Sequence, residues 1–257
     1  MNTQPKRSLG QHFLVDENVL GVIGRLADLQ PEDVVVEIGP GTGVLTRYLA
    51  DRVQAVHAIE LDRSLEEPLR EALEGRTNVN LVFADAVTFD YGSLSPAPGK
   101  LVSNLPYNVA TPIVVESLEG IPTVERWCVM VQREVADRFF ARPRTKAYGA
   151  VSVFVQLAAR RIGFHRVSPA AFRPRPRVES AVVAFARVPG PALARVRPVV
   201  EAAFAHRRKT LPNSLALSGL VTRSRAEEAL DAIGKPRGAR AEELAPDDFV
   251  RLADALA

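Results

Sequence analysis

The sequence predicts an α/β fold, a mostly parallel sheet covered by helices on both faces, followed by a small all-helical appendage. Three observations predict it. Short, nearly continuous apolar runs rich in Val and Ile alternate with segments of helical spacing through the first 132 residues, as strands buried on both faces of a sheet do. Beyond Glu134 the extended runs RRIGFHRVS and RVESAVVAFARV can return as an antiparallel edge. After VPGPALARV at 188–196, with its two prolines and a glycine, only helical stretches follow. A chain of 257 residues has room for one large and one small domain, here 1–188 and 189–257.

The elements follow in order. ENVLGVIGRLADL, 17–29, places Val19, Leu20, Ile23 and Leu26 on one helical face with Asp16 as N-cap. DVVVEIG at 33–39 is a β-branched run ended by glycine, and GVLTRYLAD at 43–51 returns to helical spacing, giving strand, glycine turn, helix. The alternation continues: AVHAIEL is a strand, SLEEPLREALE a helix, VNLVFAD a strand, GKLVSN a strand, TPIVVESLE a helix and RWCVMVQ a strand. A helix over 134–141 leads into the loop ARPRTKAYG. The appendage holds RVRPVVEAAFAH, RKTLPNSLALSG, SRAEEALDAI and PDDFVRLADAL, all helical in spacing. There is no fixed-period repeat and no low-complexity tract.

Composition excludes several classes. With 47% hydrophobic and 25% charged residues the chain reads as soluble and globular. No window approaches the roughly 20 uninterrupted apolar residues of a membrane span. MNTQPKRSLGQHFL lacks the apolar stretch of a secretory signal, so a cytoplasmic location is expected. The single cysteine, Cys128, precludes an internal disulfide, and His12, His57, His165 and His206 are too scattered to make a metal site with it. In WCVMV, Cys128 reads as a buried structural thiol. Charge is regional: net −8 over 1–132, +9 over 133–188 and +2 over 189–257, within a total of +3. Clustered Lys and Arg in the middle gain by releasing counterions from a polyanion, so a nucleic acid is the expected partner of that region.

Two motifs carry chemistry. EIGPGTG, Glu37 to Gly43, lies at a strand-to-helix turn where Gly39, Gly41 and Gly43 allow a tight bend and close approach of a ligand. Position 44 is Val, so this is not the dinucleotide fingerprint. Glu60, 21 residues after Gly39 at the end of the second strand, can accept both ribose hydroxyls of an adenosine, and Asp85 at the end of the third can accept from an adenine amino group. With no Walker lysine, the ligand expected is an adenosine without a phosphate chain.

The second motif is NLPY, Asn104 to Tyr107, after the strand GKLVS. An exocyclic aromatic amine is a poor nucleophile because its lone pair is delocalised, and acceptors aimed at its N–H groups favour a pyramidal nitrogen. Asn104 offers a side-chain carbonyl, Leu105 a backbone carbonyl, Pro106 a restricted turn and Tyr107 a flat face for a base.

Together with GQHFL, ADA, the loop TKAYG, FRPRPRVESAVV and FAHRRKTLPNSL, in this order from about Ser8 to Phe249, these motifs resemble the ribosomal RNA adenine dimethyltransferases of the KsgA type. The resemblance implies a Rossmann-like S-adenosylmethionine-dependent methyltransferase domain over 1–188 and a helical RNA-recognition domain over 189–257. It implies that Gln11, His12, Leu14, Glu37, Gly39, Gly41, Glu60, Leu61, Asp85, Ala86 and Asn104 hold the cofactor. It further implies that Asn104, Leu105, Pro106 and Tyr107 serve catalysis, with Tyr107 and Phe172 sandwiching a flipped adenine. Arg175 and Pro212 depart from that pattern, where a proline and an arginine respectively are common.

The activity so implied is N6,N6-dimethylation of two adjacent adenosines in a hairpin near the 3′ end of small-subunit ribosomal RNA, linked to subunit biogenesis. The expected partner is a partly assembled small subunit and the expected state a monomer, without metal or membrane. Arg142, Arg144, Lys146, Arg173, Arg175 and Arg177, with Arg207, Arg208 and Lys209 as a second patch, are the expected RNA contacts. A large-subunit enzyme conferring antibiotic resistance and a non-catalytic assembly or transcription factor are the competing readings. The paired EIGPGTG and NLPY motifs weigh against the latter.

Overall fold

The computed structural model of the chain describes residues 12–206 and 208–257; Gln11 and Arg207 lie outside the described residues. Among these, 12–136 with 161–187 form one compact unit, and 137–160 with 188–257 form the other.

In the first unit, β1 (Phe13–Leu14) precedes α1 (Glu17–Ala27), whose N-cap Asp16 accepts from the Asn18 N–H at 2.9 Å. Four strands and three helices then alternate as β2 (Val34–Ile38), α2 (Val44–Ala50), β3 (Ala55–Glu60), α3 (Glu66–Ala72), β4 (Val79–Phe83), β5 (Lys100–Asn104) and α4 (Ala110–Gly120). Next come β6 (Arg126–Gln132) and α5 (Arg133–Phe139), which crosses into the second unit at Asp137, and later β7 (Ala159–Val167), which belongs to the first unit from Arg161, β8 (Phe172–Arg173) and β9 (Ser180–Arg187). The main sheet has the order β4-β3-β2-β5-β6-β9-β7. From β4 to β6 all neighbours are parallel, and β9 joins β6 antiparallel with Met130 opposite Val182. The strand order reverses between β2 and β5, a crevice-forming switch point at the carboxyl ends where open α/β sheets bind ligands. Val35, Val36, Val56, Leu101, Val102 and Val129 are fully buried, which is why these strands read as continuous apolar runs. β1 pairs with β8 in a small separate sheet, with Leu14 opposite Phe172.

The second unit holds α6 (Ala150–Ala158), α7 (Leu193–Ala205), α8 (Leu211–Leu217), α9 (Arg223–Ala232) and α10 (Pro246–Leu256). The sequence places the division at 188/189 alone, but α6 packs against α7 and α10, so the second unit takes in residues before the sheet is finished. Its run AVSVFVQLA is apolar on nearly all sides, which hides the helical period. Pro212 falls in the first turn of α8, where a missing N–H costs nothing, and it starts the helix rather than kinking it. No helix of the described residues is long and apolar enough to cross a membrane.

Candidate active site

The carboxyl ends of β2, β3, β4 and β5 surround a cavity of about 180 Å³. The glycine turn after β2 forms its floor. Gly39, Gly41 and Gly43 have φ of 73°, 60° and 74°, the left-handed region that glycine enters without strain. A Cβ on Gly41 would lie 2.9 Å from the Phe13 ring, and one on Gly39 would lie 3.3 Å from Pro106. The turn is therefore wedged between the N-terminal strand and the NLPY turn.

Glu60 ends β3 and is 5% exposed; its Oε2 accepts from the Gly41 N–H at 3.1 Å and its Oε1 from the Asp62 N–H at 2.9 Å. Burial raises its pKa, and those two N–H groups pull it back. Each oxygen keeps a second lone pair for a ligand hydroxyl. Asp85, beyond β4, accepts from the Val87 N–H at 2.9 Å, while the Tyr91 hydroxyl donates to the Ala86 carbonyl at 2.8 Å and secures that loop. Leu61 and Val87 line the same wall with their apolar side chains exposed to solvent.

Glu37, at 1% exposure, is the strained group. Desolvation pushes its pKa up to about 8, and the nearby Glu60 adds to the rise. The Thr46 hydroxyl beside it offsets this in part by its proximity, but the contact falls short of hydrogen-bond geometry, and both the Thr46 hydroxyl and Glu37 Oε2 are without a partner among the described residues. A buried acceptor left unmade beside a cavity is an invitation to a cationic or donor ligand.

At the end of β5 the Asn104 amide nitrogen donates to the His12 carbonyl at 3.1 Å. A carbonyl only accepts, so this contact settles which way the amide faces and leaves Oδ1 for another donor. The Leu105 N–H donates to the Met130 carbonyl at 3.0 Å, tying the turn to β6. The Tyr107 hydroxyl lies 2.5 Å from Ser180 Oγ, and its ring lies 5.2 Å from the His12 ring at a 32° tilt. His12 is held in turn by Nδ1, which donates to the Pro174 carbonyl at 2.8 Å.

His12, Leu14, Glu37, Gly39, Gly41, Glu60, Leu61, Asp85, Ala86 and Asn104 to Tyr107 all line this one cavity. Phe172 does not. It is fully buried in the core cluster with Leu14, Val19 and Ile23, so the expected sandwich with Tyr107 is corrected: pairing of β8 with β1 turns the ring inward, and His12 is the ring that faces Tyr107. Sequence reasoning gave no role to Phe13, Thr42 and Val87, which line the cavity, or to Ser180, which holds the Tyr107 hydroxyl. Phe13, Thr42 and Ser180 lie within the motifs GQHFL, EIGPGTG and FRPRPRVESAVV, whereas Val87 left no signal. Of the expected RNA contacts, Arg173, Arg175 and Arg177 are exposed in the first unit, and Arg142, Arg144, Lys146, Arg208 and Lys209 are exposed in the second. Arg144 also pairs loosely with Glu243 at 3.8 Å. Cys128 is buried on β6 with its thiol pushed up to about 12, a packing residue rather than a nucleophile.

The family model for ribosomal RNA adenine dimethylase matches residues 2–257. The chain belongs to that family. It is 51% identical over 251 residues to the ribosomal RNA small subunit methyltransferase A of Rubrobacter xylanophilus, covering 97% of this chain and 94% of that one. It is 44% identical to the protein of the same name from Kineococcus radiotolerans, covering 98% and 86%. Among solved structures it resembles the dimethyladenosine transferase from Plasmodium falciparum, with a TM-score of 0.77, 22% identity and coverage of 94% and 96%. It also resembles the 23S rRNA methyltransferase ErmE, with a TM-score of 0.67, 34% identity and coverage of 95% and 99%. This ribosomal RNA adenine dimethylase uses S-adenosylmethionine. Its cavity fits that molecule on three counts: the orphaned Glu37 oxygen, a glycine turn that a Cβ would obstruct, and a carboxylate ending β3.

Proposed function

We propose that this enzyme dimethylates the N6 amines of two adjacent adenosines in a hairpin near the 3′ end of small-subunit ribosomal RNA, on a partly assembled subunit, acting as a cytoplasmic monomer. The observation that carries the reading is the juxtaposition of an amine-facing turn with an adenosine-type pocket: Asn104 and Tyr107 share one cavity with Glu60 and Asp85. The choice of small over large subunit is favoured by the Rubrobacter and Kineococcus relatives, both named for the small subunit and both more similar in sequence than ErmE.

In this reading Glu60 would accept the ribose hydroxyls and Asp85 the adenine amine, with Leu61 and Val87 offering apolar surface in the same cavity. Glu37, protonated in the empty pocket, would release its proton to solvent to meet the positive charge of the methionine end, while His12, Leu14, Gly39, Gly41 and Ala86 shape the walls and Gln11 is assigned to the cofactor by the family resemblance. Bound S-adenosylmethionine supplies an electrophilic methyl group on a sulfonium. Asn104 Oδ1, with its amide nitrogen anchored on His12, accepts an N–H of the target amine, and the Leu105 carbonyl accepts the other, so that the nitrogen lone pair is freed toward the cofactor. Pro106 holds the turn and Tyr107 stacks the base. Because the departing group of a sulfonium would need no protonation and the methylated amine would give its surplus proton to solvent, positioning by Asn104, Leu105 and Tyr107 would supply most of the acceleration. Phe172 backs this arrangement from the core. Residues 1–188 carry the chemistry, and residues 189–257, with Arg142, Arg144, Lys146, Arg173, Arg175, Arg177, Arg207, Arg208 and Lys209, carry recognition of the RNA.

Mass mapping of ribosomal RNA from cells lacking the protein tests this. Two neighbouring small-subunit adenosines are expected to lack methyl groups while the large subunit is unchanged. Loss confined to the large subunit would overturn the assignment in favour of a resistance-type enzyme.

A further inference from the structure

Ser180 opens β9, faces Gln132 of β6 in the antiparallel pair, and is 0% exposed. A hydroxyl wholly removed from water costs stability unless it finds a partner. Its partner is the Tyr107 hydroxyl at 2.5 Å, 73 residues away in sequence. Burial raises the Tyr107 pKa, so the phenol stays protonated and the contact is a hydroxyl pair. β9 lies inside the main sheet between β6 and β7, which makes Ser180 a rigid anchor, whereas Tyr107 belongs to a turn. Two torsions place a tyrosine ring, and pinning its far end restrains both, while the His12 ring limits travel on one side.

We propose that Ser180 is a positioning residue for methyl transfer: through the Tyr107 hydroxyl it holds the aromatic face at the tilt on which the target adenine stacks. Ser180 itself touches neither base nor cofactor and acts only through Tyr107. The proposal rests on the reading of Tyr107 as the stacking ring. Without the hydroxyl pair the ring samples orientations in which the amine misses Asn104, and turnover falls through lost preorganisation. Cofactor affinity does not depend on the contact.

A double-mutant cycle tests it with the full chain, Ser180→Ala, Tyr107→Phe and the pair together, using unmodified small-subunit particles as substrate. Each single change is expected to lower kcat about ten-fold, and the double variant is expected to be no slower than either, because both remove the same contact. S-adenosylmethionine affinity by calorimetry should match the parent. Losses that multiply in the double variant, or parental turnover by Ser180→Ala, would overturn the proposal. If Ser180→Ala does not fold, Tyr107→Phe alone decides, since it breaks the same bond from the other end and full turnover refutes the role. Tyr107→Ala separates the underlying reading: parental turnover there refutes stacking by Tyr107, whereas an inactive Tyr107→Ala beside a fully active Ser180→Ala refutes the Ser180 role alone.

Discussion

Glu37 is a carboxylate whose burial works against its charge. With a folded pKa raised to about 8, the folded chain binds a proton that the unfolded chain has released, so the Glu37 contribution to stability is fully present below the ordinary carboxylate range and is lost as pH rises through about 8. The decline is on the order of a few kcal/mol. Glu37→Gln is expected to flatten it, giving a ligand-free melting temperature that changes less than the parent's between about pH 5 and pH 8; parallel profiles would refute the burial argument. Glu60 differs because it already accepts two N–H groups. Glu60→Ala removes a ligand acceptor and the tether on Gly41 together, and calorimetry should show S-adenosylmethionine binding weakened about ten-fold or more in a folded protein, from a loss of about 1.5–3 kcal/mol. Both carboxylates were legible in the sequence from their places at strand ends. The orphaned state of Glu37 was not, because it depends on how Thr46 packs behind it.

The glycine turn and the short strand β1 depend on each other. Gly41→Ala puts a methyl group 2.9 Å from the Phe13 ring at a φ of 60°, so β1 or the turn must shift and the cavity floor with it. Gly75, with φ 78° and no atom within 4 Å of where a methyl group would sit, carries the same backbone strain without the collision. Gly75→Ala is expected to cost about 1–2 kcal/mol of stability and leave cofactor affinity at the parental value. Gly41→Ala should cost more stability than Gly75→Ala, because the collision with Phe13 adds to the strain, and should weaken cofactor binding as well; equal affinities in the two variants would refute the wedge between β1 and the turn. The glycines could be read from spacing alone, but β1 could not, since two residues carry no period and their partners in β8 lie far along the chain, Phe172 opposite Leu14. The same limit hid α6, whose apolar faces have meaning only against α7 and α10.

At the scale of the whole molecule the charge is divided, net −8 before residue 133 and +9 over the next 56 residues. Arg142, Arg144 and Lys146 are all exposed, and each phosphate they neutralise adds roughly one to the salt slope of RNA affinity. Replacing all three by Ala is expected to lower that slope by about two to three, toward the lower figure because Arg144 is partly engaged by Glu243. Filter binding to small-subunit RNA across a salt series measures it, and an unchanged slope would place the RNA on another face. The basic stretch was visible in the sequence as a count. Its exposure was decided by the fold.

The sequence by itself determined the α/β class, the alternation of strands and helices, the glycine turn, the acidic strand ends and NLPY, because each is written in neighbouring residues or in a local period. It also carried the family resemblance that the full-length match bears out. Only the tertiary structure decided which distant groups meet. Asn104 reaches His12 across 92 residues and Tyr107 reaches Ser180 across 73, while Phe172 turns into the core instead of toward the cavity. Those outcomes depend on strand order and register, where a shift of one residue sends every side chain to the opposite face.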